Sequence, residues 1–412
     1  MKRLKLLNIN HCEEASEMIL SDNMRETVSK SSTIRKMFEV GTAMKEKYGA
    51  ENVYDFSLGN PVAPVPEEVK KSIIRAMTEE EPLKVHGYMK NSGYEEVRQK
   101  IADSLNGKYG TDYTFKNIIM TVGAAGGINT VLRAILNPED EIMAFAPFFS
   151  EYRSYAANFQ GKVNVVPAKT DDFQLDIDKA EKLINDRTKA VIVNNPNNPS
   201  GALYSKNTIE ALGKMLKRAE KRFGHPIILI ADEPYRELVY DGKEIPFIPN
   251  IINNTIFAYS FSKTLSIPGE RIGYLAIRNN VDEYKDLIQG LTISNRILVV
   301  NAPSLLQFVA ADCIDVKADV EFYDRNRKLL YSELTRIGFE CVKPEGAFYM
   351  LVKSPLESAE AFTEKAKDLH IIFSPTDSFA LPGYVRLAYC VDYRMIERSI
   401  PAFEKLAESL HI

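Results

Sequence analysis

Residues 118–136 read Ile118-Ile119-Met120-Thr121-Val122-Gly123-Ala124-Ala125-Gly126-Gly127-Ile128-Asn129-Thr130-Val131-Leu132-Arg133-Ala134-Ile135-Leu136. The first five make a short buried strand and the next five a turn of small residues. Ile128, Val131, Leu132, Ile135 and Leu136 then form an apolar stripe at helical spacing. A strand, a glycine turn and a helix leave unpaired backbone N–H groups and a positive dipole end at the turn, which suits a phosphate. Close packing of helix on strand accounts for the small residues equally well, and the dinucleotide spacing G-x-G-x-x-G is absent.

The same unit repeats outward along the chain. Apolar runs at 141–146, 162–166, 190–193, 227–230 and 255–259 alternate with helical stretches such as 206–222. This alternation predicts an α/β fold with a mainly parallel, mixed sheet between helices and with ligands at the carboxyl ends of the strands. Upstream, 33–48, 67–77 and 94–109 have helical spacing, and Val53–Leu58 alternates like a strand before Gly59-Asn60-Pro61. That loop is either a crossing between domains or a place where a glycine lets substrate approach the backbone. Downstream, helices near 305–313, 322–337 and 358–369 mix with strand-like runs at 339–342, 347–352, 371–373 and 384–389. They predict a smaller α+β domain. The expected division is a large cofactor-binding domain over 60–295 and a small domain over 1–59 with 296–412, the N-terminal segment packing on the C-terminal part.

Composition excludes several classes of function. The 412 residues are 45% hydrophobic and 26% charged with a net charge of -4, so no basic excess points to nucleic acid or an anionic membrane. Lys2, Arg3 and Lys5 begin like a signal peptide, but Asn8, Asn10 and His11 interrupt any apolar core, and no later run approaches a membrane span. Cys12, Cys313, Cys341 and Cys390 form no C-x-x-C pair, and the five histidines are dispersed, so reduced thiols, no metal site and a cytoplasmic location are expected.

Chemistry gathers where the strands end. Pro147-Phe148-Phe149-Ser150 follows one, Asn194 to Gly201 another, Ala231-Asp232-Glu233-Pro234-Tyr235 a third, and Ser260-Phe261-Ser262-Lys263 a fourth. A lysine among hydroxyls suits Schiff-base chemistry with a carbonyl, and the hydroxyls with Arg271 suit a phosphate. Together they predict pyridoxal 5'-phosphate. Asp232 would keep the pyridine nitrogen protonated, Tyr235 and Asn198 would hydrogen-bond the phenolic oxygen, and Phe149 would stack on the ring. The turn at Gly123–Ala125, Ser260 and Arg271 would take the phosphate.

With these residues in place, the chain resembles the class I/II aminotransferases of pyridoxal-phosphate fold type I, which are aspartate aminotransferase-like. The resemblance rests on N-N-P-N-N-P-S-G (194–201), A-D-E-P-Y (231–235), S-F-S-K-T-L-S-I-P-G-E-R-I-G-Y (260–274), P-E-G-A-F-Y (344–349) and Y-V-R-L-A-Y (384–389), in order from about Tyr54 onward. It implies that Lys263 is the Schiff-base lysine, Asp232 the pyridinium partner, and Tyr235 and Asn198 the phenolate partners. It also implies that Arg386 clamps the substrate α-carboxylate, with the Gly59 backbone and Asn198 beside it. Tyr88 matches a tyrosine that reaches the phosphate of the other subunit, which implies a homodimer with shared active sites. Ala125 departs from the family pattern, where a polar side chain often meets the phosphate; Ala124 and Ala125 can offer only backbone N–H groups.

The reaction so implied is transfer of the α-amino group of an L-amino acid to a 2-oxo acid. Aspartate and 2-oxoglutarate are the first expectation for the pair, followed by alanine, methionine or aromatic donors. A β-lyase, racemase or decarboxylase on the same scaffold is the nearest alternative, and a regulatory relative without catalysis a more distant one. An acidic substrate calls for a second cation, for which Arg296 and Lys90 are candidates, although each is equally suited to a solvated surface.

Overall fold

A computed structural model describes residues 19–29 and 33–412. The basic start at Lys2, Arg3 and Lys5, the polar residues after it and Cys12 lie outside the described residues.

The described residues form twelve strands: β1 (Tyr54–Asp55), β2 (Ile118–Thr121), β3 (Glu141–Phe145), β4 (Lys162–Val166), β5 (Thr188–Asn194), β6 (Ile228–Asp232), β7 (Thr255–Ser260), β8 (Gly273–Ile277), β9 (Tyr349–Lys353), β10 (Ile371–Ile372), β11 (Ser374–Pro375) and β12 (Tyr384–Ala388). Seven of them make one sheet in the order β2-β8-β7-β6-β5-β3-β4. Neighbours from β7 to β4 run parallel, while β8 lies antiparallel between β2 and β7. The mainly parallel, mixed sheet is therefore as read from the alternating runs. The strand β8 has no counterpart in that reading, because its short Gly273–Ile277 run continues directly from the Arg271 loop.

Every residue of β2, β6, β7 and β8 is buried. Strands covered on both faces are apolar throughout rather than alternating. One face packs on the stripe Ile128, Val131 and Leu132 of the helix Gly123–Ile135 and on Leu291. The other packs on Ile101, Leu212 and Leu216, the last two from the helix Lys206–Phe223. That helix is capped at its start by the Ser205 side chain, which accepts from Thr208 N–H, and stops at Gly224 in the left-handed region. Each fully buried aliphatic side chain contributes about 1.5–3 kcal/mol, which is how these faces hold the strand ends in register.

A second core, from Phe56 through Phe348, Phe362, Leu387 and Phe403, surrounds the antiparallel sheet β11-β12-β9 and the parallel pair β1-β10. The run expected as a strand over 53–58 pairs only at Tyr54 and Asp55, opposite Ile371 and Ile372. Beyond it the Asp55 carboxylate accepts from Ser57 N–H and Oγ–H, turning the chain out of the strand. The Phe56 carbonyl then accepts from Ala388 N–H at the end of β12, which carries Ser57–Gly59 beside Arg386. The run 339–342 forms only an isolated bridge, Cys341 to Val352. Among the described residues no helix is long and apolar enough to cross a membrane, and no group of three or more His, Cys, Asp or Glu could hold a metal ion.

Candidate active site

The carboxyl ends of β5, β6 and β7, the start of the helix Gly123–Ile135, the loop after β1 and the side chain of Arg386 on β12 all open on one cavity of about 1120 Å³. Gly59, Ala124, Ala125, Phe149, Asn198, Asp232, Tyr235, Ser260, Lys263, Arg271 and Arg386 line it. Tyr88 does not; it is 92% exposed elsewhere on the chain.

Asp232 ends β6 with 5% of its surface exposed. Its Oδ2 accepts from the Tyr152 hydroxyl at 2.5 Å, whereas its Oδ1 is buried with no hydrogen-bond partner. Burial pushes the carboxyl up to about 6, against the Tyr152 hydrogen bond, which favours the ionised form. A buried carboxylate oxygen without a donor is unfavourable unless an N–H meets it. Phe149 meets Tyr152 edge to face at 5.8 Å and lines the same wall.

Lys263 stands in the short helix Phe261–Thr264 that follows β7, and its Nζ donates to the Gly59 carbonyl at 2.8 Å. Burial pushes its amine down to about 8, and the charges of Arg271 and Arg386 act in the same direction. Beside it the Ser260 side chain accepts from Ser262 N–H and contacts Ser262 Oγ at 2.8 Å. Arg271 donates to Ser262 Oγ at 3.2 Å and to the Pro268 carbonyl at 2.8 Å, and forms no ion pair among the described residues. Its guanidinium lies over the glycine turn so closely that a Cβ on Gly123 would fall 2.7 Å from Nη2, and Gly123 itself has φ +72°. No side chain caps the helix that starts there, so its first N–H groups face the same space as Arg271.

Arg386 is 2% exposed. It donates to the Ser57 carbonyl at 2.7 Å and to Asn198 Oδ1 at 3.1 Å, and its Nε has no partner. Burial lowers the guanidinium's basicity, and no carboxylate pairs with it among the described residues. Its plane lies over the Tyr349 ring, 4.6 Å from the centroid, and the Tyr349 hydroxyl is 2.9 Å from that of Tyr235.

Met24, Val28, Phe38 and Leu58 also line the cavity, as do Ser150, Arg153, Tyr155, Asp377 and Ser378. Arg153 packs over the Phe148 ring at 5.0 Å and forms no ion pair among the described residues. Ser150 Oγ and Ser378 Oγ are buried without partners. Lys90 and Arg296 stay outside: Lys90 pairs with Glu95 at 2.5 Å, and Arg296 donates to Asn91 Oδ1 at 3.3 Å. Arg153, a further cation lining the cavity, carried no sequence signal. Tyr152 and Tyr349 are site residues without a sequence-level assignment, while Ser262 is one of the hydroxyls beside Lys263 expected near the phosphate. Ser262 and Tyr349 stand inside quoted motifs, but Tyr152 belongs to none.

These residues fit pyridoxal phosphate. The unpaired Asp232 Oδ1 awaits an N–H, the uncapped helix start with Arg271 and Ser262 awaits an anion, and Lys263 is a buried amine of lowered basicity in the same cavity.

Comparison with known proteins agrees with this geometry. The profile of the family described as aminotransferase class I and II matches residues 50–403. The crystal structure of an amino transferase from Eubacterium rectale is 42% identical and superimposes with a TM-score of 0.93, covering 96% of this chain and 100% of that one. Aspartate aminotransferase from Thermus thermophilus, solved with maleate, is 25% identical with a TM-score of 0.85, over 94% of this chain and 99% of that one. Aromatic-amino-acid aminotransferase 2 of Thermococcus litoralis is 29% identical over 406 residues, 94% of this chain and 98% of its own length.

Proposed function

This chain belongs to the class I and II aminotransferases, and from that premise we propose that it is a pyridoxal-phosphate-dependent transaminase moving the α-amino group of an L-amino acid to a 2-oxo acid, with aspartate and 2-oxoglutarate as the pair. The observation that carries the reading is the cavity itself, where Lys263, the half-paired Asp232 and the carboxylate-free Arg386 converge.

Bound there, pyridoxal phosphate supplies an electron sink for the charge left when the α C–H bond breaks. Arg386 receives the substrate α-carboxylate in its fork, held flat by Ser57 O and Asn198 Oδ1. Lys263 would anchor the cofactor and serve as the base for the α-proton, since an amine lowered to about 8 releases and accepts protons close to neutral pH. Asp232, whose Oδ1 is free of partners while Tyr152 engages the other oxygen, would hold the N–H of the pyridine ring. Arg271, Ser262 and the helix start hold the phosphate.

The acidic pair is favoured by Arg153, a cation that lines the cavity and forms no ion pair among the described residues. A second reading, an aromatic donor, is favoured by the apolar wall of Met24, Val28, Phe38 and Leu58. A panel of amino donors assayed with and without an acceptor oxo acid tests both. Formation of the donor's 2-oxo acid only when an acceptor is present identifies transamination, and release of product without an acceptor would point to a lyase or decarboxylase. Lys263→Ala is expected to abolish turnover and the visible absorption of bound cofactor; normal turnover in that variant would sink the scheme.

A further inference from the structure

Tyr349, at the start of β9, is 3% exposed and touches three parts of the site at once. Its hydroxyl is 2.9 Å from the Tyr235 hydroxyl. Its ring lies beneath Arg386. The hydroxyl also presses on Gly59, where a Cβ would fall 2.0 Å from it, and the Gly59 carbonyl holds Lys263 Nζ. A phenylalanine would fill the same space and stack on the same guanidinium, so the hydroxyl is the part that needs a reason.

Two neighbouring phenols have two protons and one contact between them. If Tyr235 donates into that contact, its proton is withdrawn from the cavity. If Tyr349 donates, the proton of Tyr235 is left to point at a ligand. On the reading above, Tyr235 donates to the phenolic oxygen of pyridoxal phosphate, and only the second arrangement allows this.

The geometry points to Tyr349 as a positioning residue that donates its hydroxyl proton to Tyr235 Oη and so aims the Tyr235 proton at the cofactor's phenolic oxygen. The inference rests on the proposed cofactor. A donor that itself accepts a hydrogen bond is polarised into a stronger donor. Tyr349 thereby favours the ionised phenolic oxygen and lowers the pH at which the bound chromophore changes colour.

The test is a spectrophotometric pH titration of the holoenzyme and its Tyr349→Phe variant. Loss of one hydrogen bond in the chain is expected to raise the midpoint by about 0.5–1 pH unit. In a Tyr235→Phe background the same change is expected to add little, because the hydroxyl it acts through is gone. The KM for the amino donor should hold while kcat falls, since the ring under Arg386 is retained. Replacing Tyr349 by 3-fluorotyrosine, a stronger donor of nearly the same shape, should move the midpoint down. An unshifted midpoint in both variants, or an equal shift with and without the Tyr235 hydroxyl, overturns the inference while leaving the cofactor reading intact. A wild-type protein that takes up no pyridoxal phosphate overturns both.

Discussion

Asp232 shows how a residue can be unfavourable for the fold and necessary for the site. Burial lifts its carboxyl from an ordinary 3.8 to about 6, a little over two units, or about 3 kcal/mol between its two protonation states. Because the folded value is raised, the protonated form is the one the fold favours. The contribution is fully present below about pH 4 and is lost as pH rises through about 6. In cofactor-free protein, Asp232→Asn is therefore expected to flatten the change in unfolding free energy between about pH 4 and 6, measured by urea titration. Parallel profiles for variant and wild type would show that the carboxylate is already satisfied in the fold. Asp232 was legible in the sequence only in company: alone, an aspartate after a buried strand is often a turn former or helix cap, and the other strand ends together with the A-D-E-P-Y motif singled it out. Tyr152 was not legible: its partner lies 80 residues away, and a tyrosine at the start of a six-residue helix carries no mark of the contact.

At the scale of elements, the site depends on a strand that stops early. β1 pairs over two residues, and the Asp55 turn then brings Gly59 against Tyr349. The 2.0 Å approach leaves no room for a methyl group, so Gly59→Ala is expected to push the Tyr349 ring away from Tyr235 and to disturb the carbonyl that holds Lys263. A fall in kcat/KM of about tenfold or more, equivalent to about 1.4 kcal/mol of transition-state stabilisation, should follow. Steady-state kinetics on the alanine variant check this, and an unchanged kcat/KM would mean the loop yields without moving the tyrosine. The glycine was visible at the sequence level as a loop with two meanings. What selects between them is the partner across the cavity, which enters from the C-terminal sheet some 290 residues later and leaves no trace near Gly59. The large sheet was more legible because parallel strands buried on both faces are uniformly apolar, whereas β8 escaped notice as a five-residue return beginning at a glycine.

At the scale of the whole molecule, three large apolar side chains on neighbouring elements are exposed among the described residues. Leu83 at 84%, Tyr88 at 92% and Ile297 at 59% exposure sit on the helix Pro82–His86, the loop after it and the helix Tyr284–Val299. The loop and the second helix are tied together by Ser92 to Thr292 and by Asn91 to Arg296. An apolar patch on joined elements suits contact with a second copy, and the resemblance assigns Tyr88 to the partner's cofactor phosphate. We propose on that resemblance that each active site is completed across a dimer, which active-site complementation can decide. Lys263→Ala and Tyr88→Ala protomers should each be impaired as homodimers. Mixed at equal amounts and allowed to exchange subunits, half of the dimers combine the two, and each such dimer carries one site with both defects and one with neither. About a quarter of wild-type activity per protomer is then expected to return. Hybrid dimers that form, as judged by a mass tag on one protomer, yet recover no activity would place Tyr88 outside the partner's site; full activity in the Tyr88→Ala homodimer would remove it from the chemistry altogether.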